Sequence, residues 1–520
     1  MSGELLLAID AGTGSCRAVL FAVDGTQVAI GQREYSHPEL PGHPGSQVFE
    51  TEANWRLICA CVRDALAAAG AEPDAVRAVS ATSMREGMVL YDARGREIWA
   101  CPNVDSRAGE EAGELVRSGA AQEIYEHAGD WVAITAPARF LWIARHEPEV
   151  FSSIAHVGML GDWIVTKLSG EFVTDPSLGS SSGMFELAER DWSDRVLELC
   201  GLDRSLFPPV VEPGTVVGAV TADAAAETGL HAGTPVVVGG ADTQLGLLGI
   251  GVTQPGRFTV VGGSFWQSTV VLDEPLIDPQ ARLRTLCHTV PNRWMIEGIG
   301  FYCGIVMRWF RDAFCELEQA EAERLQVDVY DLLERKAAAL PPGSNGVFGI
   351  FSNLMQASRW VHASPGFVGF DVTGPARTGR SECFRSIEES AAYVARGHLA
   401  IVEEIAGIDV EDAILTGGAA KGTLWPQIVA DTLGLPVRIP AVKESTALGA
   451  AIYAGVGAGL YDDAGGAAER IVRFDRTYEP DAAAAAAYAH LYEQWLELYR
   501  RSLELSEAGL VRPLWRAAGT

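Results

Sequence analysis

The chain has 520 residues, longer than one hydrophobic core usually grows, so two domains with a site between them are expected. Hydrophobic residues make up 48% and charged residues 21%, which excludes a disordered chain and describes an ordinary globular enzyme. Lys and Arg number 40 against 68 Asp and Glu, and the net charge of −28 opposes nucleic acid and anionic membrane as partners.

No run approaches the roughly 18 apolar residues of a membrane helix. The nine cysteines are scattered and include no CxxC pair, so neither a disulfide framework nor a structural zinc site is expected. A reduced, cytoplasmic protein fits. Because the global field repels phosphates, a nucleotide would have to be held locally, by backbone amides and a divalent cation.

In chain order, residues 5–11 form an apolar run interrupted by Asp10, followed by the turn Gly12-Thr13-Gly14-Ser15. Residues 17–23 are apolar again, Asp24-Gly25 is a hairpin signal, and 26–35 read as a third strand, so the chain opens as an antiparallel meander. Asp10 sets a carboxylate at a strand end, ahead of residues small enough for backbone N–H groups to approach phosphate oxygens. The same residues also suit an ordinary β-turn.

Helical spacing over 52–69 stops at Gly70, and 76–80 return to strand. Two segments are oddly polar for their surroundings, Ser83-Met84-Arg85-Glu86-Gly87 and Asn103-Val104-Asp105-Ser106-Arg107. Arg85, Glu86 and Asp105 offer directional contacts to vicinal hydroxyls or carbonyls; structural ion pairs are the competing reading. Gly239-Gly240-Ala241-Asp242-Thr243-Gln244 places a carboxylate beside flexible glycines. Asp242 can accept the proton that a hydroxyl loses on attacking phosphorus, and it can equally be a turn residue.

A boundary near 251–255 divides the chain into 1–252 and 253–520. The second part repeats the opening pattern: strand 258–261, turn Gly262-Gly263-Ser264, strand 266–272. Strand, small hydroxyl-bearing turn, strand therefore occurs twice, which suggests duplicated lobes whose turns face one cleft. Thr416-Gly417-Gly418-Ala419-Ala420-Lys421-Gly422 joins an apolar strand to a helical run, as a nucleotide surface or a tight connection would. The small-residue helix at 446–459 suits close packing or a hinge between lobes, and the helix at 481–510 reads as a packing element.

Taken together, these segments resemble the FGGY family of carbohydrate kinases. In that family an Asp-Gly-Gly-Thr-like phosphate loop, a Gly-x-Asp element, a Gly-Gly-Thr/Ser loop and an adenosine Gly-Gly loop occur in this order. The resemblance spans essentially the whole chain. It implies an α/β protein of two RNase H-like lobes, of the sugar kinase, Hsp70 and actin type, with a catalytic cleft between them for ATP, Mg2+ and a polyol. The first lobe would carry the acceptor and the first phosphate loop, the second the nucleotide.

Carried over residue by residue, the resemblance makes Asp242 the base, Asp10 the metal-associated carboxylate, and Thr13, Gly14, Ser15 and Arg17 the first phosphate loop. Gly263 and Ser264 match the second loop, and Gly417, Gly418 and Lys421 the adenosine loop. Arg85, Glu86, Asp105 and Gln244, with Asp242, fall where an acceptor is contacted. The first loop departs from the pattern by reading Gly-Thr-Gly-Ser-Cys where many relatives have two consecutive hydroxyl residues, and Ser264 stands where Thr is common; neither change removes an amide.

Segments 83–87, 103–108, 263–267, 307–315 and 443–449 narrow the resemblance to a branch that phosphorylates linear 4,5-dihydroxypentane-2,3-dione on its terminal hydroxyl. A pentulose or hexulose kinase, such as one acting on xylulose, is one alternative. A non-catalytic ATP-binding switch of the same fold is another, and a homodimer is left open.

Overall fold

The computed structural model describes residues 3–300, 302–359, 361–374 and 377–517. The opening meander is present: β1 (Leu5–Ala11), β2 (Ser15–Ala22) and β3 (Gln27–Glu34) pair antiparallel. Helix α1 (Thr51–Ala69) ends where expected, at Gly70, whose φ of 58° is a left-handed turn open to a residue without a side chain. Strands β4 (Val76–Ser83), β5 (Val216–Ala219) and β6 (Pro235–Ala241) complete a six-stranded sheet in the order β5-β6-β4-β1-β2-β3. Within it β1, β4 and β6 run parallel. Helix α2 (Asp242–Gly249) follows β6 directly.

The second half builds a seven-stranded sheet from β7 (Arg257–Gly262), β8 (Trp266–Leu272), β9 (Arg284–Cys287), β10 (Trp294–Gly300), β11 (Asp412–Gly417), β12 (Val437–Pro440) and β13 (Phe474–Tyr478). Its order is β9-β10-β8-β7-β11-β12-β13. The run β10-β8-β7-β11-β12 reproduces β3-β2-β1-β4-β6 in order and in strand direction: two antiparallel pairings, then two parallel ones. The duplication expected from the repeated hairpin is thus a duplication of whole sheets.

The helices of the second half that bear on the site are α3 (Cys303–Phe314), α4 (Val329–Ala337), α5 (Arg380–Ala406), α6 (Leu424–Leu433), α7 (Ser445–Gly457) and α8 (Ala482–Glu507). Helix α8 buries Tyr488, Trp495 and Tyr499 and is a packing element. Every residue of β1 is buried, because helices cover both faces of the sheet. Leu7 and Ile9 share a core with Ile58 and Val62 of α1. Leu6 and Ala8 face the other way and share a core with Leu245 and Leu248 of α2 and with Leu448 and Ile452 of α7.

Helix α7 therefore belongs in sequence to the second half and in packing to the first sheet. A Cβ on Gly449 would lie 2.0 Å from the Leu245 carbonyl, and one on Gly249 would lie 1.9 Å from the Ser445 carbonyl. The α2 and α7 backbones touch there, which only glycine allows. Among the described residues, no helix is long and apolar enough to cross a membrane.

Candidate active site

The parallel strands β1, β4 and β6 end side by side, with Ala11 opposite Ser83 and Ser83 opposite Ala241. Ligands of α/β sheets bind beyond such carboxyl ends. Here those ends bring together Asp10 on β1, Arg85 and Glu86 just after β4, and Asp242 just after β6. Residues far apart in the sequence meet because each follows or ends a neighbouring strand.

Asp10 is buried on the face of β1 that looks toward α2 and α7. Arg17, its register partner on β2, places Nε 3.4 Å from Asp10 and Nη1 2.7 Å from Glu444. Burial pushes the Asp10 carboxyl up to about 7; Arg17 opposes this, while Asp242 and Glu444 add to it. The Asp10 anion is thus poorly compensated by the protein alone, and a cation beside it would relieve the strain of ionisation.

Asp242 opens α2. The Thr243 backbone N–H donates to its Oδ1 at 2.7 Å, and Arg85 Nε lies 3.8 Å from the same oxygen. Burial raises its affinity for a proton, Arg85 lowers it and Glu86 raises it. Thr446 of α7 donates to the Asp242 carbonyl, which fixes the strand-to-helix corner from the other half of the chain.

Arg85 and Glu86 sit in a buried ionic network that spans both halves. Arg85 makes two hydrogen bonds to Glu297 of β10, at 2.9 and 3.2 Å. Arg284 of β9 binds Glu297, Glu86 and Asp130 at 2.6, 2.9 and 3.1 Å. Both readings of Arg85 and Glu86 therefore have a physical basis: they are ion-paired, and the pairs border Asp242. Burial pushes Asp130 up to about 6, with Arg284 opposing.

Asp105 stands one step back. Its Oδ1 accepts from the Gln47 backbone N–H and from Arg107 Nε, both at 2.7 Å. Arg139 Nε lies 3.7 Å from Oδ2, and Arg139 also donates to the Glu86 carbonyl. Asp105 thus touches the Glu86 turn through Arg139. Gln244 is fully buried and donates to the Cys287 carbonyl at 3.3 Å, with its Oε1 unmatched among the described residues.

The first glycine loop is braced from outside. Thr13 exchanges hydrogen bonds with Asn103, His37 Nε2 meets the Thr13 carbonyl at 2.8 Å, and the Tyr35 hydroxyl donates to the Gly12 carbonyl. A Cβ on Gly14 would meet nothing within 4 Å, so the loop presents open backbone. Ser15 is half-buried beside it.

In the second sheet, Gly262 and Gly417 are register partners, and this joins the second and third glycine loops. Gly417 has a φ of 84°, and a Cβ there would lie 2.7 Å from the Gly262 carbonyl, so the close approach demands glycine. Gly263 and Gly418 keep open space, with contacts no nearer than 3.7 Å. A cavity of about 420 Å3 opens beside them, lined by Gly263, Ser264, Gly418 and Lys421 and closed by Met307, Tyr330, Phe384, Glu388 and Trp425. Glycine amides at one edge and aromatic side chains in the wall suit a nucleotide.

Sequence reasoning passed over Glu444, Arg284, Glu297, Asp130 and Arg139. Glu297 carried a signal, being the one charge in the apolar strand Trp294–Gly300. Glu444 lies in the 443–449 segment already singled out. Arg284, Asp130 and Arg139 gave none, since only folding brings them to Glu86.

Comparison with known proteins bears on this geometry. Residues 5–249 match the model of the FGGY family of carbohydrate kinases, N-terminal domain, and residues 263–458 match that of the C-terminal domain. The chain is 46% identical over 521 aligned residues to the autoinducer-2 kinase of Yersinia enterocolitica, covering 100% of this chain and 98% of that protein. Xylulose kinase from Rhodospirillum rubrum is similar in structure, with a TM-score of 0.85 and 28% identity over 96% of this chain and 99% of that one. Plasmodium falciparum glycerol kinase shares the fold at a TM-score of 0.83, with 16% identity over 96% and 98% of the two chains.

Proposed function

We propose, from the premise that this chain belongs to the FGGY family of carbohydrate kinases, that its acceptor is autoinducer-2, 4,5-dihydroxypentane-2,3-dione, phosphorylated on the terminal hydroxyl in quorum-sensing signal processing. The chain is an ATP-dependent carbohydrate kinase, so the proposal concerns the acceptor and the residues that serve it. The choice of acceptor is supported by the full-length 46% identity to an autoinducer-2 kinase. The observation that carries the chemistry is Asp242, a carboxylate at the start of α2 with elevated proton affinity, beside an arginine and at the ends of three parallel strands.

In this reading Asp242 takes the proton from the attacking hydroxyl. Its protein contacts fall on Oδ1, which leaves Oδ2 for the acceptor. Arg85 favours the ionised, basic form of the Asp242 carboxyl, while burial raises its affinity for the proton it would take. Arg85, Glu86 and Gln244 hold the acceptor's oxygens, and Asp105 acts through Arg139 to hold the Glu86 turn.

The backbone of Thr13, Gly14 and Ser15 and of the Gly263-Ser264 turn, whose Gly263 N–H is held by the Phe265 carbonyl at 2.9 Å, receives the phosphates, with Arg17 beside the first loop. Gly417, Gly418 and Lys421 receive the adenosine. Mg2+ carried by the phosphates would supply charge neutralisation during transfer. Asp10 is the residue that fits it: its destabilised anion is relieved by a cation, and among the described residues no cluster of three acidic, His or Cys side chains forms a closed cage. The division of labour falls at 252/253, acceptor and first phosphate loop before, the rest of the nucleotide site after. The nine cysteines are all buried, as suits thiols in the reducing cytoplasm, where we place the reaction.

A ketose such as xylulose is the second reading, supported by the 28% identical xylulose kinase. ADP release from the purified chain with Mg-ATP and a panel of dihydroxypentanedione, xylulose, ribulose, glycerol and no acceptor separates the two. The expected result is a kcat/KM for the dione about tenfold or more above either ketose, the scale set by one or two polar contacts. A ketose preference keeps the kinase and overturns the acceptor. Hydrolysis indifferent to every acceptor would instead make the protein an ATP-binding switch.

A further inference from the structure

One polar group in the wall of the 420 Å3 cavity has no part in the mechanism above. Glu388 of α5 is 0% exposed, and neither of its carboxyl oxygens has a hydrogen-bond partner among the described residues. A buried carboxyl without partners is costly, and buried polar groups are ordinarily matched. The nearest cation on its own helix, Arg385, is already taken by Glu389 and by the Tyr488 hydroxyl, each at 2.9 Å. Glu388 follows Phe384 by one helical turn, and its backbone carbonyl accepts from the indole N–H of Trp425 at 3.2 Å. Glu388 therefore lies at the aromatic end of the cavity, the end suited to a flat base, with the glycine backbone at the other.

We propose that the Glu388 carboxyl hydrogen-bonds the purine base of the bound nucleotide and reads the 6-amino group of adenine. The proposal rests on the kinase reading, which puts a nucleotide in this cavity. The charged groups around Glu388 are Glu334 of α4 and Arg385 and Glu389 of α5; burial, seconded by Glu334, keeps its proton bound well above the ordinary carboxylate range. A neutral carboxyl offers one O–H donor and one carbonyl acceptor. Adenine presents the complement, a 6-amino donor beside a ring-nitrogen acceptor. A purine without the 6-amino group presents acceptors only and leaves the Glu388 carbonyl oxygen unmatched.

The test is a cycle between ligand and protein, read by calorimetric binding without acceptor. ADP and the diphosphate of purine riboside, which lacks the 6-amino group, are titrated into the unaltered chain and into E388L and E388Q. The unaltered chain is expected to favour ADP by about tenfold, as for a buried polar contact. E388L should bind both within about twofold, while E388Q, whose amide keeps a donor and an acceptor, should retain the preference. The same ratio in E388L as in the unaltered chain overturns the proposal and leaves the kinase reading standing. Equal binding of the two ligands by the unaltered chain overturns it as well, and needs no variant to fold. Binding of neither ligand by the unaltered chain overturns the kinase reading and this proposal with it.

Discussion

The two sheets share strand order and direction but carry opposite chemistry at equivalent positions. In the first, Asp10 stands opposite Arg17 near the end of the central hairpin. In the second, the same register holds Val261 opposite Gln267, and the neighbouring parallel strands end glycine against glycine, Gly262 beside Gly417. One half places charges at its strand ends; the other places bare backbone. Burying a carboxylate requires compensation, and much of it comes across the boundary, from Arg284 to Glu86 and from Glu297 to Arg85. Duplication supplies two similar platforms that differ in the side chains at their strand ends, and the proposed mechanism gives the charged one the reaction and the bare one the grip.

The comparison breaks most sharply at Asp242. Asp242→Asn should cut kcat about a thousandfold while nucleotide affinity holds, the scale of losing a general base; a variant of undiminished kcat removes Asp242 from the chemistry and the first half from its role. Next comes the tie between halves. Arg284→Leu takes the closest cation from Glu86 and Asp130 and leaves Glu297 to Arg85 alone, and should cost about 3–5 kcal/mol in denaturant unfolding, as breaking one partner of a buried ion pair does. A loss below about 1 kcal/mol, the scale of an exposed pair, would mean that the network is not what holds the charged platform.

A smaller effect separates the charged platform from the bare one by pH. The Asp10 carboxyl has a folded value of about 7 against an ordinary 3.8. Because the folded value is raised, its contribution to the stability of the nucleotide-free protein is full below the ordinary value and is lost as pH rises through about 7. Asp10→Asn does not titrate, so its Tm should gain a few degrees on the unaltered chain between about pH 4 and 8. A pH-independent difference in Tm would place the Asp10 carboxyl in an ordinary, solvated setting.

The smallest effect tests whether both platforms grip. Alanine at Gly14 or Gly263 meets no atom nearer than 3.8 Å, so stability should stay within about 0.5 kcal/mol in each variant. The KM for ATP should rise about fivefold in both, the scale of one weakened hydrogen bond. A rise in only one confines the phosphates to that loop.

Much of this organisation was legible in the sequence. The repeated strand-turn-strand pattern, the helix stop at Gly70 and the small-residue helix around Gly449 all follow from local rules, because period, turn chemistry and side-chain size act over a few residues. Asp10, Asp242 and the Arg85-Glu86 pair stood out as charges in apolar or glycine-rich surroundings. Glu297 left the same kind of signal, a charge inside the apolar strand Trp294–Gly300, and went unread. Arg284, Asp130 and Arg139 left none, since nothing within a few residues of them distinguishes an ion pair from an exposed charge.

The sequence by itself determined the two-lobed α/β architecture, the order of the glycine loops and the carboxylates at strand ends, since each is written in contiguous residues. Tertiary structure alone decided how the charges are compensated, and that α7 of the second half seals the first sheet through the Gly249 and Gly449 contact with α2. It alone showed that the Glu388 carboxyl has no hydrogen-bond partner among the described residues. The physical reason is that pairing and desolvation depend on distances through space, which chain spacing does not encode until the sheets have formed.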